Sequence, residues 1–400
     1  MSFRFSTFEL DMDRRELRRD GFAVPVEPQV LDLIAFLVNN QDRVVSQEQI
    51  FDAVWQGRVV SLSTLTSRIN AARAALGDSG QSQTMIKTVP RRGYRFVGGA
   101  APANGENLSP SEGSAPAVIR PASTQEIRFC ETPDNVRIAY STVGDGEPLV
   151  KAGNWLNHLE HDWDGPVWSH LLKWMASKWQ LTRYDARGNG LSDWDVDEIS
   201  FDAFVRDLES VVDAAGLETF SLFGASQGCA VSIAYAVKHP ERVKKLVLYG
   251  GFALGRRLRG SPQDNELIDA MLTLMRAGWG QENPAFRQVF TSNFVPGGSA
   301  EQVDWFNNLQ RITTSPANAV RIRSVSDMLD VTHLLEQVKA PTLVLHCRED
   351  AMQPFEEGRR IAARIPNSSF VGLEGKNHLI LEKDEAWPRF REAVCAFLES

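Results

Sequence analysis

Residues 100–124 constrain the chain more than any other stretch. They contain no aromatic residue and are rich in Pro, Gly, Ser and Ala. Such a segment has little to bury, so it is expected to be a flexible linker with a span of about 25–30 Å. Two separately folded parts are therefore expected: a small domain over residues 1–99 and a larger one over 125–400.

Composition narrows the class. The chain is 43% hydrophobic and 24% charged, which supplies a sizeable core and excludes global disorder. Mean hydropathy is -0.25, and no apolar run approaches the roughly 18 residues of a membrane span. Met1-Ser2-Phe3-Arg4-Phe5 lacks the apolar block of a signal peptide. The four cysteines lie far apart with no CxxC pair, which argues against a disulfide framework or a zinc ribbon. A cytoplasmic chain without a membrane partner is expected.

Net charge is -8, yet residues 54–99 carry seven basic side chains and one acid, Asp78. A basic block in an acidic chain is the footprint of a nucleic-acid module, although a solvated surface face gives the same count. The local pattern decides more. Phe3–Leu10, Glu16–Arg19 and Phe22–Val26 read as a small antiparallel sheet. Val30, Leu33, Ile34, Leu37 and Val38 fall at helical spacing. Ser46 with Gln49 forms a capping box for a second helix with Ile50, Val54 and Trp55 on its apolar side. A third helix starts near Ser63, buries Leu65, Ile69, Ala72 and Leu76, and ends at Gly77. Its other face carries Thr64, Ser67, Arg68, Asn70 and Ala71, small groups plus arginine that suit a major groove. Ile86–Val97 reads as a hairpin with a basic tip.

This order resembles the OmpR/PhoB-type winged-helix DNA-binding domain over about residues 3–97. Its most specific part is Thr88-Val89-Pro90-Arg91-Arg92-Gly93-Tyr94-Arg95-Phe96, followed by Ser67-Arg68-Ile69-Asn70. The resemblance implies a third helix in the major groove and a wing on phosphate or the minor groove. It implies DNA contacts from Thr64, Ser67, Arg68, Ala71, Arg91, Arg92, Tyr94 and Arg95. The implied partner is double-stranded promoter DNA, bound by a homodimer on paired half-sites.

In the larger domain, short apolar runs at 149–152, 180–184, 220–223, 243–249 and 342–346 alternate with helical patterns. That alternation predicts an α/β fold with a mainly parallel sheet. Gly224-Ala225-Ser226-Gln227-Gly228 is a G-x-S-x-G motif between a predicted strand and a predicted helix. Its glycines permit the sharp turn that exposes a serine nucleophile. Such a serine needs a base and a group to orient that base. Downstream, Asp350 follows a strand and precedes Pro354, with Glu349 as the neighbouring alternative, and His378 lies in a loop near the C-terminus. Chain order therefore gives the candidate triad Ser226, Asp350 and His378.

Residues 126–398 are similar to the α/β-hydrolase family through Arg183–Ser192, Gly224–Gly228, Arg348–Pro354 and Gly375–His378. The resemblance implies a helical lid over about 252–338 and a structural role for Asp185. The His-Gly that many members carry after the third strand is replaced by Ala152-Gly153-Asn154-Trp155. Gln227 N–H is then one expected oxyanion donor, with Asn154 or Trp155 as the second. His158 and His161 stand beside Glu160 and Asp162 without a further metal-ligand pattern. No metal or cofactor is expected. The aromatic residues of the lid and the five tryptophans between Trp155 and Trp179 either line an apolar pocket or pack lid on core.

The combination reads as a regulator whose hydrolase-like domain senses, and retains competence to hydrolyse, an apolar ester, thioester or lactone. Two alternatives stay open: a catalytically silent receptor, and a serine esterase that the winged helix only localises.

Overall fold

The computed structural model describes every residue except 1, 6, 12, 13, 15, 20, 42, 56–61, 79–82, 90–92, 100 and 103–124. The chain divides into two compact units, Met1–Ala122 and Ser123–Ser400. Among the described residues no helix is long and apolar enough to cross a membrane.

The first unit opens with β1 (Ser2–Phe5), β2 (Phe8–Asp11), β3 (Glu16–Arg19) and β4 (Phe22–Val24), each antiparallel to the one before. Alternation buries Phe3, Phe5, Phe8, Leu10 and Leu17 on one face. Helix α1 (Pro28–Asn39) has Pro28 in its first turn, where a missing N–H costs no helical bond. Helix α2 (Gln47–Trp55) starts after Ser46, whose hydroxyl accepts from Gln49 N–H while Gln49 Oε1 accepts from Ser46 N–H. Helix α3 (Leu62–Ala75) buries Leu65, Ile69 and Ala72, and Gly77 follows it at φ +65°. Strands β5 (Ile86–Val89) and β6 (Gly93–Phe96) pair as a hairpin.

One element departs from expectation. Ala101–Pro102 forms β7 on the edge of β1, inside the stretch expected to be linker. Ladder hydrogen bonds use backbone groups, so composition does not mark this short pairing.

The second unit is an eight-stranded sheet. Its strands are β8 (Ile127–Glu131), β9 (Arg137–Val143), β10 (Pro148–Lys151), β11 (Gln180–Tyr184), β12 (Phe220–Ala225), β13 (Val243–Tyr249), β14 (Thr342–Cys347) and β15 (Ser368–Leu373). Their spatial order is β15-β14-β13-β12-β10-β11-β9-β8. Only the β8–β9 and β9–β11 pairs are antiparallel. Helices α4 (Leu159–Asp164) and α5 (Ser169–Lys178) connect β10 to β11, and α6 (Phe201–Ala214) connects β11 to β12. Helix α7 (Gln227–Lys238) follows β12. After β13 come five helices in succession, α8 (Arg256–Arg259), α9 (Pro262–Gly278), α10 (Ala285–Phe294), α11 (Ala300–Thr313) and α12 (Pro316–Met328). Helices α13 (Phe355–Arg364) and α14 (Ala386–Glu399) complete the fold. Leu222, Phe223, Leu246, Val247, Leu248, Val344 and Leu345 are buried in the central strands, as expected for parallel strands covered on both faces. The chain thus has a small sheet-and-helix module followed by an α/β-hydrolase fold.

Candidate active site and DNA-binding face

The central strands end where the chemistry is placed. Strand β12 stops at Ala225 and α7 starts at Gln227, so Ser226 alone turns the chain. Its backbone stands at φ +52° and ψ -122°, a conformation that costs a non-glycine residue strain and is held by the surrounding fold. Ser226 N–H donates to Tyr249 O at 2.9 Å, which fixes the turn to β13. Flanking glycines allow the tight packing. A Cβ on Gly224 would lie 2.7 Å from Gly228 O, and one on Gly228 would lie 2.9 Å from Gly153 O.

Asp350 and His378 come from the loops after β14 and β15. His378 Nδ1 donates to Asp350 Oδ2 at 2.8 Å. Asp350 Oδ1 accepts from Met352 N–H at 2.8 Å and Gln353 N–H at 2.9 Å, so the carboxylate has one orientation. Burial alone would raise the Asp350 pKa. The neighbouring His378 and His346 and the Gln353 N–H outweigh burial and hold it below the usual carboxylate value. His378 is 1% exposed, and its Nε2 has no hydrogen-bond partner among the described residues. With Nδ1 protonated and fixed on Asp350, Nε2 carries the lone pair that can take a proton.

Two further groups touch this pair and were not marked by the sequence reasoning. His346 Nε2 donates to Gln353 O at 3.1 Å and stands 3.5 Å from Asp350 Oδ2. Gly250 lies behind the pair: a Cβ there would be 3.3 Å from His378 Cε1. A histidine four residues before the candidate acid was the only sequence signal for His346.

Beside Ser226 runs the loop after β10. Gln227 opens α7, so its N–H has no intrahelical acceptor and remains available. Asn154 and Trp155 stand differently. Asn154 N–H donates to Asn157 Oδ1 at 2.6 Å, while Trp155 N–H carries no intramolecular bond among the described residues. Lys151, 4% exposed, donates from Nζ to Asn154 Oδ1 at 2.5 Å and stacks over Trp168. Burial lowers its pKa to about 8, against the pull of Asp162 and Asp185. Asp185 accepts from Leu159 N–H and Leu191 N–H through Oδ2, which ties this loop to the one after β11. His158 caps α4 and packs edge-on to His161 at 4.3 Å. No group of three or more His, Cys, Asp or Glu residues placed to hold a metal occurs among the described residues.

Aromatic rings adjoin both loops. Trp155 meets Trp279 at 5.8 Å, and Trp279 meets Phe290 at 5.7 Å. Phe294 stands edge-on to the His378 ring at 5.4 Å. Its carbonyl accepts from His378 N–H and Leu379 N–H at 2.9 and 3.1 Å. The helices after β13 are thereby joined to the histidine loop. Pairwise packing engages Trp279, Phe290, Phe294 and Phe306 of the helices after β13, while Phe286 is exposed.

In the first unit, Thr64, Ser67, Arg68 and Ala71 share α3. Thr66, Ser67 and Asn70 are exposed, and Thr64, Arg68 and Ala71 are half-buried. Arg68 pairs with Glu27 at 2.5 Å, a contact that competes with any phosphate. Arg73, also on α3, is buried and bonds Ile86 O and Thr88 Oγ1, so it anchors the helix to the hairpin. Arg95 is exposed and donates to Gln41 O. Arg91 and Arg92 lie outside the described residues. Tyr94, expected among the DNA contacts, is 7% exposed, its backbone pairs with Val45, and alternation in β6 places its ring on the side of Phe96.

Comparisons with known proteins follow the same division. The family model described as transcriptional regulatory protein, C terminal, matches residues 21–96. The model described as serine aminopeptidase, S33, matches residues 168–385. A putative carbamate hydrolase RutD of Caulobacter sp. (strain K31) is 25% identical over 241 residues, covering 58% of this chain and 86% of that protein. The AB hydrolase superfamily protein YisY of Bacillus subtilis (strain 168) is 27% identical over 255 residues, covering 62% and 91%. Among solved structures, an esterase from Exiguobacterium antarcticum has a TM-score of 0.58 at 21% identity, covering 68% of this chain and 99% of that chain. The enol-lactonase from Burkholderia xenovorans LB400 has a TM-score of 0.55 at 18% identity, covering 68% and 100%. These structural likenesses show the fold.

Proposed function

We propose, for a chain that belongs to the serine aminopeptidase S33 family of α/β-hydrolases and carries an OmpR/PhoB-type DNA-binding module, the role of a transcriptional regulator whose hydrolase domain binds and hydrolyses a small apolar ester, thioester or lactone. The observation that carries the chemical part is the buried Asp350–His378 pair, with Nε2 unpartnered, in the unit whose elbow residue is Ser226.

In this reading Ser226 Oγ attacks the acyl carbon as His378 Nε2 takes its proton. Asp350 holds the imidazole in the required tautomer and stabilises the imidazolium. Gln227 N–H and a donor from the loop after β10 receive the oxyanion. The protonated His378 then gives its proton to the leaving oxygen or sulfur, and water releases the acyl group by the same steps. The packed rings of Trp155, Trp279, Phe290 and Phe294 make the surroundings of the two loops apolar, and the proposed ligand is apolar to match. An esterase and an enol-lactonase share this fold, and ester or lactone chemistry is the class proposed for this chain.

Regulation follows if the ligand binds two states of the protein with different affinity, since only that difference shifts DNA binding. The test is treatment of wild type and Ser226→Ala with a fluorophosphonate, beside a panel of p-nitrophenyl esters and acyl lactones. Labelling and turnover lost in the variant are the expected result. A folded wild type that neither labels nor turns over any substrate would overturn the hydrolytic part.

A further inference from the structure

The loop after β10 holds a feature that simple hydrolysis does not need. Asn154 lies against the elbow, with its Cβ 3.6 Å from where a Gly228 Cβ would stand, two residues beyond Ser226. Strand β10, which leads into this loop, pairs with β12 through Lys151 and Phe223. Asn154 therefore lies in the loop that leaves β10, the strand beside β12, which leads to the serine. It is already engaged, at 2.6 Å, by Asn157 Oδ1.

That contact is built in depth. Asn157 Nδ2 returns a bond to Asn154 Oδ1 at 3.2 Å, and Lys151 Nζ bonds the same oxygen at 2.5 Å. Asn154 Nδ2 donates to Trp155 O at 3.0 Å. Leu156, between the two asparagines, adopts φ +58°, a strained conformation that lets the chain fold Asn157 back onto Asn154. Lys151, Asn154 and Asn157 are all buried, so water does not compete for these bonds.

We infer that Asn157 is a gating residue: its side-chain carbonyl occupies the oxyanion donor of Asn154 and restrains turnover, so that ligand dwells in the site. An amide oxygen accepting an N–H at 2.6 Å is chemically equivalent to the substrate carbonyl that the same N–H would serve. Loss of one oxyanion donor slows acyl transfer by about 10²–10³-fold. A donor that must first leave a buried partner gives much of that advantage away. Slow turnover and long occupancy suit a sensor better than an enzyme of high flux. The inference rests on Ser226 acting as nucleophile.

The experiment measures the second-order rate of fluorophosphonate labelling on full-length protein for wild type, Asn157→Ala, Asn157→Asp and Ser226→Ala. Thermal melts confirm folding of each. Asn157→Ala frees the N–H and is expected to label at least tenfold faster than wild type. Asn157→Asp keeps an acceptor, now charged, on the same N–H and is expected to label more slowly. Opposite signs for the two variants are the signature. Labelling that falls in both, or stays at the wild-type rate in Asn157→Ala, overturns the gating role and leaves Trp155 N–H as the working donor. Absence of Ser226-dependent labelling in every variant overturns the nucleophile reading, and the gate with it.

Discussion

Replacing Asp350 by asparagine tests the candidate active site with almost no change of volume. The outcome can be worked from the contacts. Oδ1 accepts two backbone N–H groups at 2.8 and 2.9 Å, so the substituted amide must present its oxygen there. Its NH₂ then faces His378 Nδ1, 2.8 Å away in the native pair, and His346 Nε2–H at 3.5 Å. A donor now meets a donor. His378 relieves the clash by moving its proton to Nε2, which then has no lone pair to take the proton of a serine nucleophile. A wrong tautomer of this kind lowers kcat by about 10⁴-fold in the best-studied serine triad, equivalent to about 5.5 kcal/mol of barrier. The fold keeps its two backbone bonds, so the melting temperature should stay within a few degrees. The assay is p-nitrophenyl ester hydrolysis beside fluorophosphonate labelling, with melts as the control. A variant whose rate stays within tenfold of wild type would show that the Asp350–His378 pair is not the base of the reaction.

Other outcomes follow from the same contacts. Gly250→Ala places a methyl 3.3 Å from His378 Cε1 at a backbone φ of +58°, with a conformational cost of about 1–2 kcal/mol. It should lower the melting temperature and kcat together while KM changes little, and a wild-type kcat would contradict the packing argument. Burial raises the Asp185 pKa to about 7 and that of Asp162 to about 6. Their folded-state values exceed the unfolded ones, so the native state favours the protonated forms, and stability falls as pH rises from about 4 to 7. Asp185→Asn should narrow the difference in melting temperature between pH 4.5 and pH 7.5, and an unchanged difference would sink the assignment. Arg68→Ala should weaken binding to duplex DNA and reduce its salt slope by about 0.9, one phosphate contact. Glu27→Gln, which removes the partner of Arg68, should do the reverse; equal slopes in all three proteins would exclude Arg68 as a phosphate contact.

Features with a local chemical cause were legible in the sequence. The Ser46–Gln49 capping box, the apolar stripe of α3 and the Gly224–Gly228 elbow each depend on residues a few positions apart. The order of strands, helices and candidate triad residues could be read because turn signals and apolar periods mark them. What escaped depends on contacts across the fold. The backbone pairing of Tyr94 with Val45, far away in the chain, has no mark in the sequence. Arg68 and Arg73 look alike on a helix, yet one pairs with Glu27 and the other anchors Ile86 and Thr88. The engagement of Asn154 N–H by the Asn157 side chain, whose return onto Asn154 depends on the positive φ of Leu156, could not be read from spacing either. The sequence sign that this loop is unusual was Ala152-Gly153-Asn154-Trp155 where many hydrolases of this fold carry His-Gly.

In the proposed regulator, occupancy of the Ser226 site controls DNA binding. This control is tested most directly by measuring the affinity of full-length protein for a duplex selected from a random pool, before and after complete reaction with an alkyl phosphonate, and likewise for Ser226→Ala. Allosteric couplings of 1–3 kcal/mol correspond to about 5–150-fold in affinity. A change in that range for wild type, absent from Ser226→Ala under the same treatment, is the predicted result. Equal affinity of the free and fully phosphonylated wild type would contradict the account and leave two activities joined only by a chain.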